Sequence, residues 1–276
     1  MSRFTMTPKE GIYLPQTDDS FQKLIFEVLK RTGITDKKIM MFLDESNIKY
    51  FQTAFTSTTA ELDVNYEKFE QLGDVSANKF LVYYMWDRFP NLDNENGVKI
   101  VARLRINYGA KQSFFKIAED LGFWPYIRAS NEERSRNKKS LLEDCFEAFI
   151  GVVEYLGNKI FKRGIGSILT YNILESIFND IHISLKYEDL YDSKTRLKEL
   201  FDYEKTKLGQ IKYTSTRNPD TGIFEASAID KKGSNEVILG TGSAAKKADA
   251  EQKAAEKALV FLKKQNIYKE IPIGYE

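Results

Sequence analysis

The chain holds a single cysteine, Cys145, so no internal disulfide can form, which fits a reducing compartment. It also holds a single histidine, His182, which leaves catalysis by a His–Cys or His–Ser pair without support. Cys145 lies between Asp144 and Phe146 in an apolar stretch and is expected in the core. No apolar run approaches the roughly 18 residues of a membrane-spanning helix. The opening segment, "MSRFTMTPKEGIYLP", lacks the apolar core of a signal peptide. A soluble intracellular protein without a membrane partner is expected, with cytoplasm and nucleus left open. There is no internal repeat and no low-complexity tract. "GTGSAAKK" lacks the GxxxxGK[ST] spacing of a phosphate loop. Overall charge is also nearly absent, at +1.

The distribution of charge says more. Residues 193–265 carry 15 Lys and Arg against 10 Asp and Glu, whereas the remainder carries 26 against 30. A basic module beside an acidic one implies a polyanion-binding part next to a part with another task. Hydrophobic residues make up 42%, enough for a packed core. The pattern divides the chain into an irregular arm (1–18), a helical domain (19–183), a linker (184–192), a small mixed domain (193–265) and a tail (266–276).

In the helical part, "SFQKLIFEVLKRTG" starts at a Ser20 cap and stops at Gly33. "KIMMFLDES" reads as a short helix, and "NYEKFEQLGDVSANKFLVYYMWDRF" as a long one ended by Pro90. "NENGVKIVARLRINYGAKQSFFKIAEDLGF" gives two helices parted near Gly109 and closed at Gly122. "NEERSRNKKS" reads as an exposed loop, solvated or touching an RNA backbone. "LLEDCFEAFIGVVEYLGN" and "GIGSILTYNILESIFNDI" are two further helices. Phe80, Tyr83, Tyr84, Trp86 and Phe89 suit a core or a dimer interface better than a base-stacking platform. In the small domain, "SKTRLKELFDYEKTK" is an amphipathic helix. Three alternating runs follow, with turn signals at "NPDTG", "KKGSN" and "GTG", and then an alanine-rich helix with a basic start.

Two helices carry like charges beside their apolar stripes. Glu70 and Asp74 lie four apart and share a face, with Gly73 next to them. Phe69, Leu72 and Phe80 are the core positions expected there. Asp144 and Glu147 lie three apart, and Ala148 and Gly151 continue their stripe. One such pair is ordinarily a solvated face, destabilising by a few tenths of a kcal/mol. Two pairs beside small residues, which allow close helix approach, could bring four carboxylates together. Such a cluster repels itself unless a cation binds, and oxygen donors suit hard divalent cations such as Mg²⁺. A pair of these ions can activate water and stabilise the leaving oxygen in phosphodiester hydrolysis.

"NYEKFEQLGD" resembles the ribonuclease III signature, written NERLEFLGD in bacteria and NYERLEFLGD in eukaryotic-type members. Glu67, Glu70, Leu72, Gly73 and Asp74 match it, while Lys68, Phe69 and Gln71 replace Arg, Leu and Phe. "LLEDCFEAFIGVVEYLG" resembles the family's second motif, DxFEAxxGAxY, and "FFKIAEDLGFWPYI" the segment between them. The "VSA" after Asp74 departs from the usual AVL. The resemblance spans roughly residues 20–180 and, through the NYE form, is similar to eukaryotic- or viral-type members. It implies an all-α endonuclease domain working as a homodimer, each subunit supplying one carboxylate cluster. It also implies that Glu70, Asp74, Asp144 and Glu147 are the catalytic, metal-binding set, and gives Glu67 an auxiliary role. The cofactor implied is Mg²⁺, with Mn²⁺ as the alternative.

The second module resembles a double-stranded RNA-binding domain, an α+β unit in α-β-β-β-α order. "SKTRLKELF" is similar to the KTxLQE opening, and "AEQKAAEKAL" to the last helix. The resemblance implies RNA contacts from Lys194, Lys198 and Glu199, from the loop with Asn218 and Pro219, and from Lys246 and Lys247. A helix in the minor groove, a loop in a second minor groove and lysines on the intervening phosphates would suit A-form RNA. The loop lacks the family's usual histidine, and the lysine pair sits one residue farther from "AEQ" than is common. The expected function is divalent-metal-dependent cleavage of double-stranded RNA, leaving 5′-phosphates and short 3′ overhangs. The alternative is a non-catalytic RNA binder.

Overall fold

A computed structural model describes residues 11–15, 19–109, 113–271 and 274–275. Residues 1–10 and 16–18 of the expected arm lie outside the described residues, as do 272, 273 and 276 of the tail. The chain divides into two compact units, Met1–Ile183 and Ser184–Glu276. Among the described residues no helix is long and apolar enough to cross a membrane.

The first unit is built from helices α1 (Asp19–Leu29), α2 (Asp36–Met40), α3 (Ile48–Ala54), α4 (Glu67–Arg88), α5 (Glu95–Gly109), α6 (Phe114–Asp120), α7 (Asn131–Arg136), α8 (Lys138–Ile160) and α9 (Ile165–Phe178). A two-residue strand, β1 (Ile12–Tyr13), pairs antiparallel with β2 (Ala129–Ser130). Helix α8 is the axis of the unit. From Leu141 to Val153 its residues are buried apart from Glu143 and Asp144, so it packs on all sides rather than along one stripe. Cys145 is fully buried there. Around α8, Phe51, Phe114, Phe123, Phe146 and Phe149 form a chain of tilted ring contacts. Helix α4 buries Phe69, Gly73, Ala77, Phe80, Leu81 and Tyr84, a helical stripe that faces α8 and α9. Tyr83 and Trp86 are exposed, and Leu72 is only half-buried.

Several local expectations change. Ser20 lies inside α1, and its Oγ accepts the Tyr126 hydroxyl at 2.9 Å, so it is not the cap. Helix α2 starts before "KIMMFLDES" and ends at Met40. Beyond it the Asp44 carboxylate accepts Ser46 Oγ (2.7 Å) and Asn47 N (2.8 Å), which holds a turn before α3. The expected loop "NEERSRNKKS" is instead α7 and the first turn of α8. Ser130 Oγ accepts the Glu133 backbone N–H at 3.1 Å and starts α7. That Ser-x-x-Glu spacing is a capping-box signal.

The second unit follows the order α10 (Tyr187–Leu190), α11 (Ser193–Tyr203), β3 (Gln210–Arg217), β4 (Phe224–Lys232), β5 (Asn235–Ala244) and α12 (Lys247–Lys264). Asp192 caps α11 by accepting Thr195 N at 3.0 Å. The strands form an antiparallel meander, β3-β4-β5, with Tyr213 opposite Ala228 and Ala226 opposite Gly242. Leu197, Leu200, Phe201, Leu239, Ala254 and Leu262 fill the core between sheet and helices. The "GTG" segment is not a turn but part of β5. A Cβ on Gly240 would lie 2.4 Å from Ala254 O, and one on Gly242 2.4 Å from Ala250 O, so both glycines let α12 lie directly on the strand.

Candidate active site

The α4–α8 contact decides which side chains can meet. A Cβ on Gly73 would lie 1.7 Å from Glu147 O, and one on Gly151 would lie 2.0 Å from Phe69 O. Each glycine admits the other helix's backbone, Gly73 within its acid pair and Gly151 one turn beyond Glu147. The helices are thus held at near backbone contact where Glu70 and Asp74 face Asp144 and Glu147.

One carboxylate oxygen each from Glu70, Asp144 and Glu147 lies within 4.8 Å of the other two. Asp74 borders this group rather than joining it. Its Oδ1 accepts Asn78 Nδ2 at 2.7 Å, and the same nitrogen donates to Asp74 O at 2.9 Å. Its charge still reaches the cluster. Burial first, then Asp74, Glu143 and Glu70, pushes the Glu147 carboxyl up to about 9. Burial first, then Asp144, Glu67 and Asp74, pushes Glu70 up to about 7. Burial likewise raises Asp144, opposed by a hydrogen bond from Tyr66. Glu147 is 7% exposed, so solvent does little to relieve the crowding.

Sequence periodicity marks Glu70, Asp74, Asp144 and Glu147 but not the groups around them. Glu143 adds a further acid felt by both Glu70 and Glu147. Tyr66, buried, donates its hydroxyl to Asp144 Oδ2 at 3.1 Å. Its contact runs between residues 78 apart in sequence, where no local signal operates. Glu67, an auxiliary acid by resemblance, contributes charge next to Glu70.

The donor set fits a hard divalent cation. It offers only oxygen, in a half-buried pocket, from groups whose shared negative charge is unfavourable without a counter-ion. Both raised carboxyls bind a proton more tightly folded than unfolded. Their contribution to stability is therefore complete below the ordinary value of 4.5 and lost as pH rises through about 7 for Glu70 and about 9 for Glu147. In EDTA the thermal midpoint is expected to fall between about pH 5 and pH 9, and Mg²⁺ is expected to restore more of it at the alkaline end. A midpoint unchanged across that range would contradict the crowding.

In the second unit the residues expected at RNA divide into exposed groups and groups held by internal partners. Lys198 is exposed on α11. Lys246 is the extended residue just before α12, and Lys247 opens the helix 3.9 Å from Glu251. Asn218 Oδ1 accepts the backbone N–H of Asp220 (2.9 Å) and Thr221 (3.1 Å), shaping the turn that exposes Pro219. Lys194 is engaged internally. It pairs with Glu251 and sits 4.7 Å from the Tyr213 ring centroid. Glu199 accepts the Tyr187 hydroxyl and Lys269 Nζ, the latter at 2.9 Å.

A helical unit that gathers three carboxylates, followed by an α-β-β-β-α unit with a basic surface, defines a nuclease domain joined to an RNA-binding domain. The model of the ribonuclease III domain matches residues 67–159, and that of the double-stranded RNA binding motif matches residues 193–262. A protein assigned as ribonuclease 3 in Invertebrate iridescent virus 6 is 38% identical over 95% of this chain and 94% of its own. One from Frog virus 3 (isolate Goorha) is 37% identical over 86% of this chain, which spans 62% of that longer protein. Ribonuclease 3 of a Nitratiruptor species is 27% identical over 79% of this chain and 92% of its own. The chain belongs to the ribonuclease III family. It is an endoribonuclease whose partner is double-stranded RNA.

Proposed function

We propose that this endoribonuclease hydrolyses both strands of an RNA duplex in a divalent-metal-dependent reaction, leaving 5′-phosphates and short 3′ overhangs. The observation that supports this best is the convergence of Glu70, Asp144 and Glu147 oxygens within 4.8 Å, with the Glu70 and Glu147 carboxyls raised first by burial and then by neighbouring acids. These three would hold the cation, Mg²⁺ or Mn²⁺, with Asp74 adding charge at its edge. When bound, the cation supplies Lewis acidity to the phosphodiester and lowers the pKa of a nearby water. Glu70, Asp144 and Glu147 fix where the scissile phosphate is met. Glu147, the most buried, keeps bulk water from the back of the pocket. In the hydrolysis, water oxygen bonds to phosphorus, the bond from phosphorus to the 3′ oxygen breaks, and that oxygen takes a proton. The phosphate stays on the 5′ end.

Among the described residues each chain carries one such cluster, and a duplex has two strands, so two copies acting together would cut both in one encounter. The exposed apolar residues Val75, Tyr83 and Ile168, along a groove between α4 and α9, favour a second copy as the occupant. In the second unit, the exposed Lys198, Lys246 and Lys247 and the Asn218–Pro219 turn are the proposed duplex contacts. Lys194 and Glu199 would first have to exchange an internal partner. A long RNA duplex incubated with magnesium should give discrete short products with 5′-phosphate ends, and none with EDTA. Sedimentation should show a dimer. Cleavage undiminished by EDTA would refute the metal-dependent reading, and an obligate monomer the paired one.

A further inference from the structure

Tyr66 stands outside both acid pairs, yet it ties their helices together. Its backbone N–H donates to Thr56 O at 2.9 Å. Its carbonyl accepts the N–H groups of Phe69 and Glu70, both at 2.9 Å, and so anchors the first turn of α4 beneath Glu70. Its hydroxyl crosses to α8 and donates to Asp144 Oδ2 at 3.1 Å. One side chain therefore links the start of the helix carrying Glu70 to the carboxylate of Asp144.

Behind the hydroxyl lies a second set of polar groups, joined to one another. Ser57 Oγ donates to Glu133 Oε2 at 2.6 Å, and Thr59 Oγ1 donates to the same oxygen at 2.5 Å. Glu133 is held in turn by α7, through its backbone bond to Ser130 Oγ. Ser57 N donates to Arg128 O at 2.8 Å. Tyr66 is 5% exposed, so little water competes for its bond to Asp144.

We propose that Tyr66 is a positioning residue for Asp144. Anchored through its backbone at the start of α4, it holds the carboxylate in one orientation toward the divalent cation and fixes its separation from Glu70. The inference rests on the metal-dependent reading above. A carboxylate has about four lone-pair sites, so accepting from Tyr66 leaves others for the cation. Without that bond the Asp144 side chain gains rotational freedom, and cation binding must restrict it again. Partners that orient a metal ligand are worth roughly 10–100-fold in affinity or activity when lost.

Titration calorimetry with Mn²⁺ on the full chain, without RNA, tests this. Tyr66→Phe keeps the ring and removes only the donor. Its Mn²⁺ dissociation constant is expected to rise about 10-fold over that of the unsubstituted chain. The half-saturating Mg²⁺ for duplex cleavage should rise in parallel, with most of the rate recovered at saturating metal. Tyr66→Leu, which also lacks the donor, carries the test if Tyr66→Phe does not fold, with a rise in the same direction expected. An Mn²⁺ affinity equal to that of the unsubstituted chain, with or without a lower thermal midpoint in EDTA, would assign Tyr66 to packing alone and overturn the proposal. No Mn²⁺ binding by the unsubstituted chain would instead refute the metal-dependent reading.

Discussion

Glu147→Gln is expected to lower duplex cleavage by about three orders of magnitude, or about 4 kcal/mol of barrier, while making the metal-free protein more stable. The two signs have one cause. Glu147 is the most buried of the clustered acids, and burial with Asp74, Glu143 and Glu70 makes its charge unfavourable. Glutamine preserves the shape and removes that charge. At about pH 8 in EDTA, the relief should raise the thermal midpoint by a few degrees, at about 2–4 °C per kcal/mol for a unit of this size. The same change leaves the cation one anionic donor short. Duplex binding, measured by gel shift in EDTA, should stay within about twofold, because the groups expected to carry it lie in the second unit. A variant that cuts at the original rate in saturating magnesium would remove Glu147 from the site. One that melts lower in EDTA would mean that its charge is not the strained element.

Gly151→Ala is the second large effect, and here even the sign is informative. In a free helix, alanine is favoured over glycine by about 1 kcal/mol. At residue 151 the added Cβ would lie 2.0 Å from Phe69 O. That atom belongs to the backbone, so no rotamer change can move it, and α4 must shift away from α8. Overpacking of this kind costs about 1–3 kcal/mol and sometimes more. With the contact so short, about 3 kcal/mol of net destabilisation is expected by chemical denaturation. Gly73→Ala meets Glu147 O at 1.7 Å and should behave alike. Either variant spreads the clustered carboxylates, so divalent affinity should fall together with cleavage. A stabilised Gly151→Ala protein with intact activity would show that the close approach of the helices does not hold the site.

Much of this architecture was legible because it is written in local periodicity. The long helix α4 follows from an apolar stripe ended by Pro90, and α8 from the apolar run that surrounds Asp144 and Glu147. The meander between two helices follows from alternation between turn signals. The misread segments are those where a side chain, not periodicity, sets the structure. The charged stretch after Ser130 forms α7 because Ser130 caps it. The "GTG" in β5 reads as a turn until α12 is seen lying across those glycines.

The two acid pairs, their shared helical faces and the small residues beside them were determined by the sequence alone, since a repeat of about 3.6 residues places neighbours on a face whatever the helix packs against. Only the tertiary structure decided that Glu70, Asp144 and Glu147 meet while Asp74 turns to Asn78, that Tyr66 reaches across to Asp144, and that Lys194 and Glu199 hold partners inside their own unit. Those outcomes depend on how far one helix is rotated and how closely it approaches the next. Contacts between distant parts of the chain set both, and at the site the closest are the two glycines against the opposing backbones.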